Sequence, residues 1–121
     1  NNTPKTWEEY CSLMKGKTVY YTNCNTITVS GFSDAHDKFV TKKRAEQFIA
    51  LGKLMQLRDY WVRGYKEFKY ALLVTRDGNI LVYAWSWYHT YPHILTFPTK
   101  EMAEEFKECF LDLLKKAFLS E

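Results

Sequence analysis

The sequence states one ten-residue phrase twice. Phe39-Val40-Thr41-Lys42-Lys43-Arg44-Ala45-Glu46-Gln47-Phe48 returns as Phe97-Pro98-Thr99-Lys100-Glu101-Met102-Ala103-Glu104-Glu105-Phe106, six identities in the frame F-x-T-K-x-x-A-E-x-F at an offset of 58 residues. The frame has a simple physical content. A threonine at a helix start accepts a backbone N–H that the first turn cannot pair, so Thr41 and Thr99 are both expected to be N-caps. The phenylalanine before each cap anchors the incoming segment, and Ala and Phe three residues apart begin an inward stripe.

Beyond the phrase the two helices differ. In the C-terminal helix Met102, Ala103, Phe106, Cys109, Phe110, Leu113, Leu114 and Ala117 form one stripe, and charged residues take most of the rest. The central helix, predicted over residues 41–63, has a matching stripe in Ala45, Phe48, Ile49, Gly52 and Met55. It adds a second apolar side in Ala50, Leu54, Leu57 and Trp61, where the C-terminal helix carries Asp112 and Lys115. A helix apolar on two sides is buried on two sides. Its second side is expected either under another segment of this chain or at a homodimer interface.

The rest of the chain falls into order around these helices. Thr6 with Glu9 has capping-box spacing, Trp7, Tyr10, Cys11 and Met14 follow at helical intervals, and Gly16 stops the helix. Residues 17–22 and 26–32 read as one hairpin. Residues 69–75 and 80–87 read as another, turning on Asp77-Gly78 as a two-residue turn. A short strand over 94–97 leads into the last helix. The expectation is a single α+β domain over residues 1–121, in the order α-ββ-α-βββ-α. It has a mostly antiparallel sheet of about five strands, three helices and a degenerate internal duplication.

Pairing through a two-residue turn sets Thr75 opposite Ile80, Leu73 opposite Val82 and Ala71 opposite Ala84 on one face, small and aliphatic. Val74 then meets Leu81, Leu72 meets Tyr83 and Tyr70 meets Trp85 on the other, with Trp87 continuing it. Tyr70, Tyr83, Trp85 and Trp87 thus make an aromatic face, either a second core layer or a surface for stacking or partner contact. Lys42, Lys43 and Arg44 in the first turn of the central helix oppose the helix dipole and sit beside unpaired N–H groups, an arrangement suited to a phosphate.

Other chemistry has little support. His89 and His93 have a metal-like spacing, but Pro92 opposes the helical turn that would align them and no ligand cluster accompanies them. No metal and no cofactor is expected. No glycine-rich phosphate loop or nucleophile motif occurs, so an enzyme is the least supported class. Cys11, Cys24 and Cys109 are odd in number and far apart, as free thiols in a reducing compartment are. No apolar run approaches the ~20 residues of a membrane span and no leader opens the sequence, which points to the cytoplasm. The net charge of +3 divides unevenly, with 13 basic and 8 acidic residues up to 98 against 4 and 6 after it. That balance permits a polyanionic partner without requiring one.

Thr6-Trp7-Glu8-Glu9-Tyr10-Cys11, Ala45-Glu46 with Leu54-Met55-Gln56-Leu57-Arg58-Asp59, and Leu95-Thr96-Phe97-Pro98-Thr99 with Ala103-Glu104-Glu105-Phe106 together carry a resemblance across nearly the whole chain. It is similar to a group of small proteins encoded by bacteriophages and integrated elements of gut anaerobes. The group has no assigned activity, and the resemblance implies a non-enzymatic accessory protein in the cytoplasm of a bacterial host. Over about thirty residues the repeated phrase also resembles the arm-binding domains of phage-type integrases, which implies DNA contact through a three-stranded sheet. The leading expectation is protein–protein binding. The alternative is nucleic-acid binding, with Lys42, Lys43 and Arg44 on phosphates and Tyr83, Trp85 or Trp87 stacking bases.

Overall fold

The computed structural model describes residues 3–23, 26–33, 37–75, 77–84 and 94–119. Its elements are α1 (Trp7–Met14), β1 (Thr18–Asn23), β2 (Thr26–Gly31), β3 (Lys38–Phe39), α2 (Lys42–Trp61), β4 (Tyr70–Val74), β5 (Ile80–Ala84), β6 (Thr96–Phe97), α3 (Lys100–Cys109) and α4 (Leu111–Phe118). The chain divides into two compact units, residues 1–49 and 50–121, and α2 runs through both.

In the first unit the Thr6 hydroxyl accepts the Glu9 amide (3.1 Å) and caps α1, and the Glu9 carboxylate accepts the amide of Lys5, one residue before the cap (3.0 Å). Gly16, at φ +84°, ends it in a conformation that a side chain disfavours. β1 and β2 form an antiparallel hairpin, with Thr18 opposite Gly31 and Asn23 opposite Thr26. β3 returns antiparallel along β1, placing Phe39 opposite Tyr20, in the order β2-β1-β3. Two residues later the Thr41 hydroxyl accepts the Arg44 amide at 3.2 Å, and the Phe39 ring lies 5.1 Å from that of Phe48.

The second unit repeats this plan. Its order is β5-β4-β6, Phe97 stands opposite Tyr70, and the Thr99 hydroxyl accepts the Met102 amide at 3.1 Å. Each unit is therefore a hairpin, a two-residue return strand on the hairpin's first strand, and a threonine-capped helix. The repeated phrase marks the same place in both.

α3 packs across β4, β5 and β6. Leu54, Leu72, Ile80, Leu95, Phe97, Ala103, Phe106 and Leu114 form the buried core of this unit, with Val62. Phe106 is its centre: its ring lies 4.9 Å from Phe97, 4.8 Å from Phe110 and 5.2 Å, edge-on, from Trp61. Such pairs contribute about 0.5–1.5 kcal/mol each beyond the area they bury.

The α+β class and the two β-then-helix units agree with expectation, and the finer description is corrected in several places. There are two separate three-stranded sheets, not one of about five strands, and among the described residues six strands and four helices rather than five and three. The extra strand is β3, two residues inside a stretch too polar to signal pairing. The extra helix comes from a break at Phe110, where φ −119° and ψ 30° leave helical geometry although the apolar stripe continues through it. Cys109, at the end of α3, is exposed rather than on the inward stripe.

The second hairpin is out of its expected register by one residue. Five residues separate β4 from β5, and the loop closes with Thr75 N–H donating to Asn79 O (2.8 Å) and Gly78 N–H to Thr75 O (3.0 Å). Gly78 takes φ +88°, so the turn is a three-residue loop with a glycine bulge rather than a two-residue turn. Val74 therefore faces Ile80, Leu72 faces Val82, and Ala71 faces Tyr83. A slip of one exchanges the faces of one strand relative to its partner.

Candidate functional site

The corrected register dismantles the expected aromatic platform. Tyr70 shares a face with Leu72, Val74, Val82 and Ile80 and packs against the core. Tyr83 lies on the opposite face, beside the directly paired Leu73 and Leu81, which are 42% and 47% exposed. Burial raises the pKa of the Tyr83 hydroxyl above its ordinary value. Trp85 and Trp87 lie outside the described residues, as do Cys24, His89 and His93. Among the described residues no three metal-ligating side chains converge.

Lys42, Lys43 and Arg44 are exposed in the first turn of α2, with no acidic residue among them. The Thr41 cap occupies the Arg44 amide, and the Arg44 guanidinium donates to Gln47 Oε1 at 2.7 Å. The three cations thus cluster, exposed, at a capped helix start.

The second apolar side of α2 divides. Ala50 and Leu54 are buried within the chain, the first of the two alternatives expected for this side. Leu57 and Trp61 sit on the flank of that stripe, each half-buried against the core. From the flank outward they line an open groove of about 400 Å³ together with Lys53, Gln56 and Tyr60. Two apolar side chains, one exposed phenol and two polar tips meet there. A smaller hollow of about 260 Å³ involves Leu73, Val74, Ile94 and Phe118 with core leucines, and among the described residues no charged side chain lines it.

Neither wall nor rim of the α2 groove is loose. The Trp61 ring meets Phe106 and Phe110 edge-on at 5.2 and 5.7 Å. Tyr60, 64% exposed, carries the Arg63 guanidinium 3.8 Å over its ring, and Arg63 Nη1 donates to the Tyr60 carbonyl (2.7 Å). On another side of α2, Arg58 fastens the helix to β6. Its Nε donates to Thr96 O and its Nη2 to Thr96 Oγ1, both 2.9 Å, while the guanidinium lies 4.6 Å from the centre of the Phe68 ring. The remaining Nη1 pairs with Asp59 (3.0 Å).

Sequence reasoning placed Leu57 and Trp61 and missed Lys53, Gln56 and Tyr60. Their spacing of i, i+3 and i+7 puts them beside Leu57 and Trp61, but polar residues in that pattern read as ordinary solvated surface until the neighbouring apolar side chains are seen to stay uncovered. No family model matches the chain, and no curated protein or solved structure is significantly similar to it.

Proposed function

We propose that the chain is a non-enzymatic binding protein, an accessory factor of a phage or mobile element, that acts in the cytoplasm through protein contacts on α2. The phage or mobile-element origin rests on the sequence resemblance. The binding site rests on one observation: Leu57, Tyr60 and Trp61 stay open to solvent in a groove of about 400 Å³ on a helix whose other side is firmly packed. A rigid wall with unsatisfied apolar side chains is what a helix or peptide partner fills. Selection from a displayed library of random peptides, followed by titration of the binders, tests this reading. Binders lost with Leu57→Glu and retained with Lys42→Glu support it. A library that yields none, or binders indifferent to Leu57→Glu, refutes it. Sedimentation of the unmodified chain separately shows whether a second copy occupies the groove.

The exposed Lys42, Lys43 and Arg44 favour a second reading, nucleic-acid binding. Its signature is affinity for mixed oligonucleotides that falls steeply with salt and is lost when the three cations are reversed.

A further inference from the structure

The sheet of the second unit has an open side. In the order β5-β4-β6, β5 pairs with β4 along one edge, and among the described residues no strand pairs with its other edge. Alternation along the strands fixes what that edge presents. Leu72 N–H donates to Leu95 O, so Leu72 turns its polar groups toward β6. Thr75 N–H donates to Asn79 O, so Thr75 and, two residues earlier, Leu73 turn theirs toward β5. Leu73 stands opposite Leu81, which leaves the N–H and C=O groups of Ile80, Val82 and Ala84 pointing away from β4. Edges of this kind are ordinarily guarded by charged side chains, proline or bulges. β5 reads ILVYA, uncharged and without proline, and its pairing with β4 runs without a bulge from Ile80 to Ala84. The matching edge strand of the first unit, β2, is by contrast broken up by Thr28, Ser30 and Gly31.

We propose that β5 pairs antiparallel with β5 of a second copy about a two-fold axis at Val82, joining two three-stranded sheets into one. The strand complements itself in that register. Val82 stands opposite Val82 and Ile80 opposite Ala84 of the other copy, so the outward groups of all three residues meet in hydrogen-bonded pairs. On the other face, Leu81, exposed within one copy, comes to lie beside Tyr83 of the other, in the pair type where side chains approach most closely. No charge within the strand meets its like across the axis, and a two-fold contact closes after two copies. At five residues the strand is about 17 Å long, so pairing buries less than the roughly 800 Å² per partner of a standard interface. The dimer is therefore weak and forms as concentration rises. It shares no residue with the α2 groove.

Sedimentation equilibrium of the full chain from micromolar to millimolar concentration tests the pairing, with amide exchange read by nuclear magnetic resonance at both ends of that range. A monomer–dimer equilibrium is expected. The Ile80, Val82 and Ala84 amides should exchange freely in the dilute chain, and roughly tenfold more slowly once about nine-tenths of it is dimeric. Leu81→Lys sets like charges across the axis and should weaken association by about tenfold or more. Ala84→Pro removes an outward N–H rather than a bond to β4, and should weaken it likewise. Both positions are exposed, and should either variant fail to fold, exchange in the unmodified chain decides. A chain that stays monomeric throughout overturns the proposal, as does a dimer untouched by both substitutions. Dimerisation lost with Leu57→Glu and kept with Leu81→Lys moves the second copy to the α2 groove and overturns it too. Protection of the three amides at every concentration means that the edge is covered within one chain. Growth past two copies that Leu81→Lys blocks means an open pairing rather than a two-fold one. Either result overturns the proposal.

Discussion

Replacing Arg58 tests how α2 is held to β6. The guanidinium is 16% exposed and donates twice to Thr96, itself 4% exposed. Bonds from a charged donor contribute about 1.5–3 kcal/mol each, and removing the donor leaves both Thr96 oxygens without those two partners. Contact with Phe68 adds about 0.5–1 kcal/mol, and the ion pair with Asp59, which is 71% exposed, adds little. These terms overlap, and water partly replaces the lost donors, so Arg58→Ala should cost about 3 kcal/mol rather than their sum. Arg58→Lys keeps the charge but not the planar fork, and should cost about 2 kcal/mol. Thr96→Val removes one acceptor, for about 1 kcal/mol. Urea titration at constant slope gives each value, and the cycle of Arg58→Lys with Thr96→Val should return a coupling of about 1 kcal/mol. Asp59→Ala should cost less than about 0.5 kcal/mol. Zero coupling between Arg58 and Thr96, or an Asp59→Ala loss equal to that of Arg58→Ala, would refute the clamp.

Three further outcomes follow from the same geometry. Thr41→Ala and Thr99→Ala should each cost about 1 kcal/mol in chemical denaturation, since each removes one capping acceptor; a silent Thr99 would break the equivalence of the two units. Gly52→Ala should raise stability by roughly 0.5–1 kcal/mol, because open space surrounds the added methyl within a helix, whereas Gly78→Ala should cost about 1–2 kcal/mol at its φ of +88°. The raised pKa of Tyr83 favours the neutral phenol in the folded state, so its contribution to stability is fully present below the unfolded value of about 10 and is lost as pH rises through the folded value. Spectroscopic titration should show a late tyrosinate step that Tyr83→Phe removes.

What was legible in the sequence was local chemistry. Thr6, Thr41 and Thr99 each cap a helix because a hydroxyl three residues before a free amide has few better partners, and that relation needs no tertiary context. The duplication was legible for the same reason, as one capping phrase written twice. The first return strand was not: a two-residue strand has no periodicity to read, and β3 exists because Tyr20 offers an edge to Phe39, whereas β6 lies inside the short strand expected over 94–97. The register failed on a real ambiguity: Asp-Gly fits a two-residue turn and also the bulged loop found here, and the loop's extra hydrogen bonds through Thr75 decide between them. The groove was half legible. Apolar spacing located Leu57 and Trp61, but which side of α2 the core would cover depended on α3, whose own break at Phe110 the stripe concealed.

One helix belonging to two units has a consequence for motion. Among the described hydrophobic residues up to Ile49, only Val19 and Ala45 are buried, whereas the second unit holds the large core around Phe106. The amides of α2 therefore fall under two regimes of local opening although they share one continuous hydrogen-bonded ladder. Exchange with deuterium should be fast and weakly protected through the turns that begin at Lys42, then slow toward the global rate past Ala50, where Leu54 enters the core. The boundary between the two rates, inside an unbroken helix, marks where the fold's cooperativity begins.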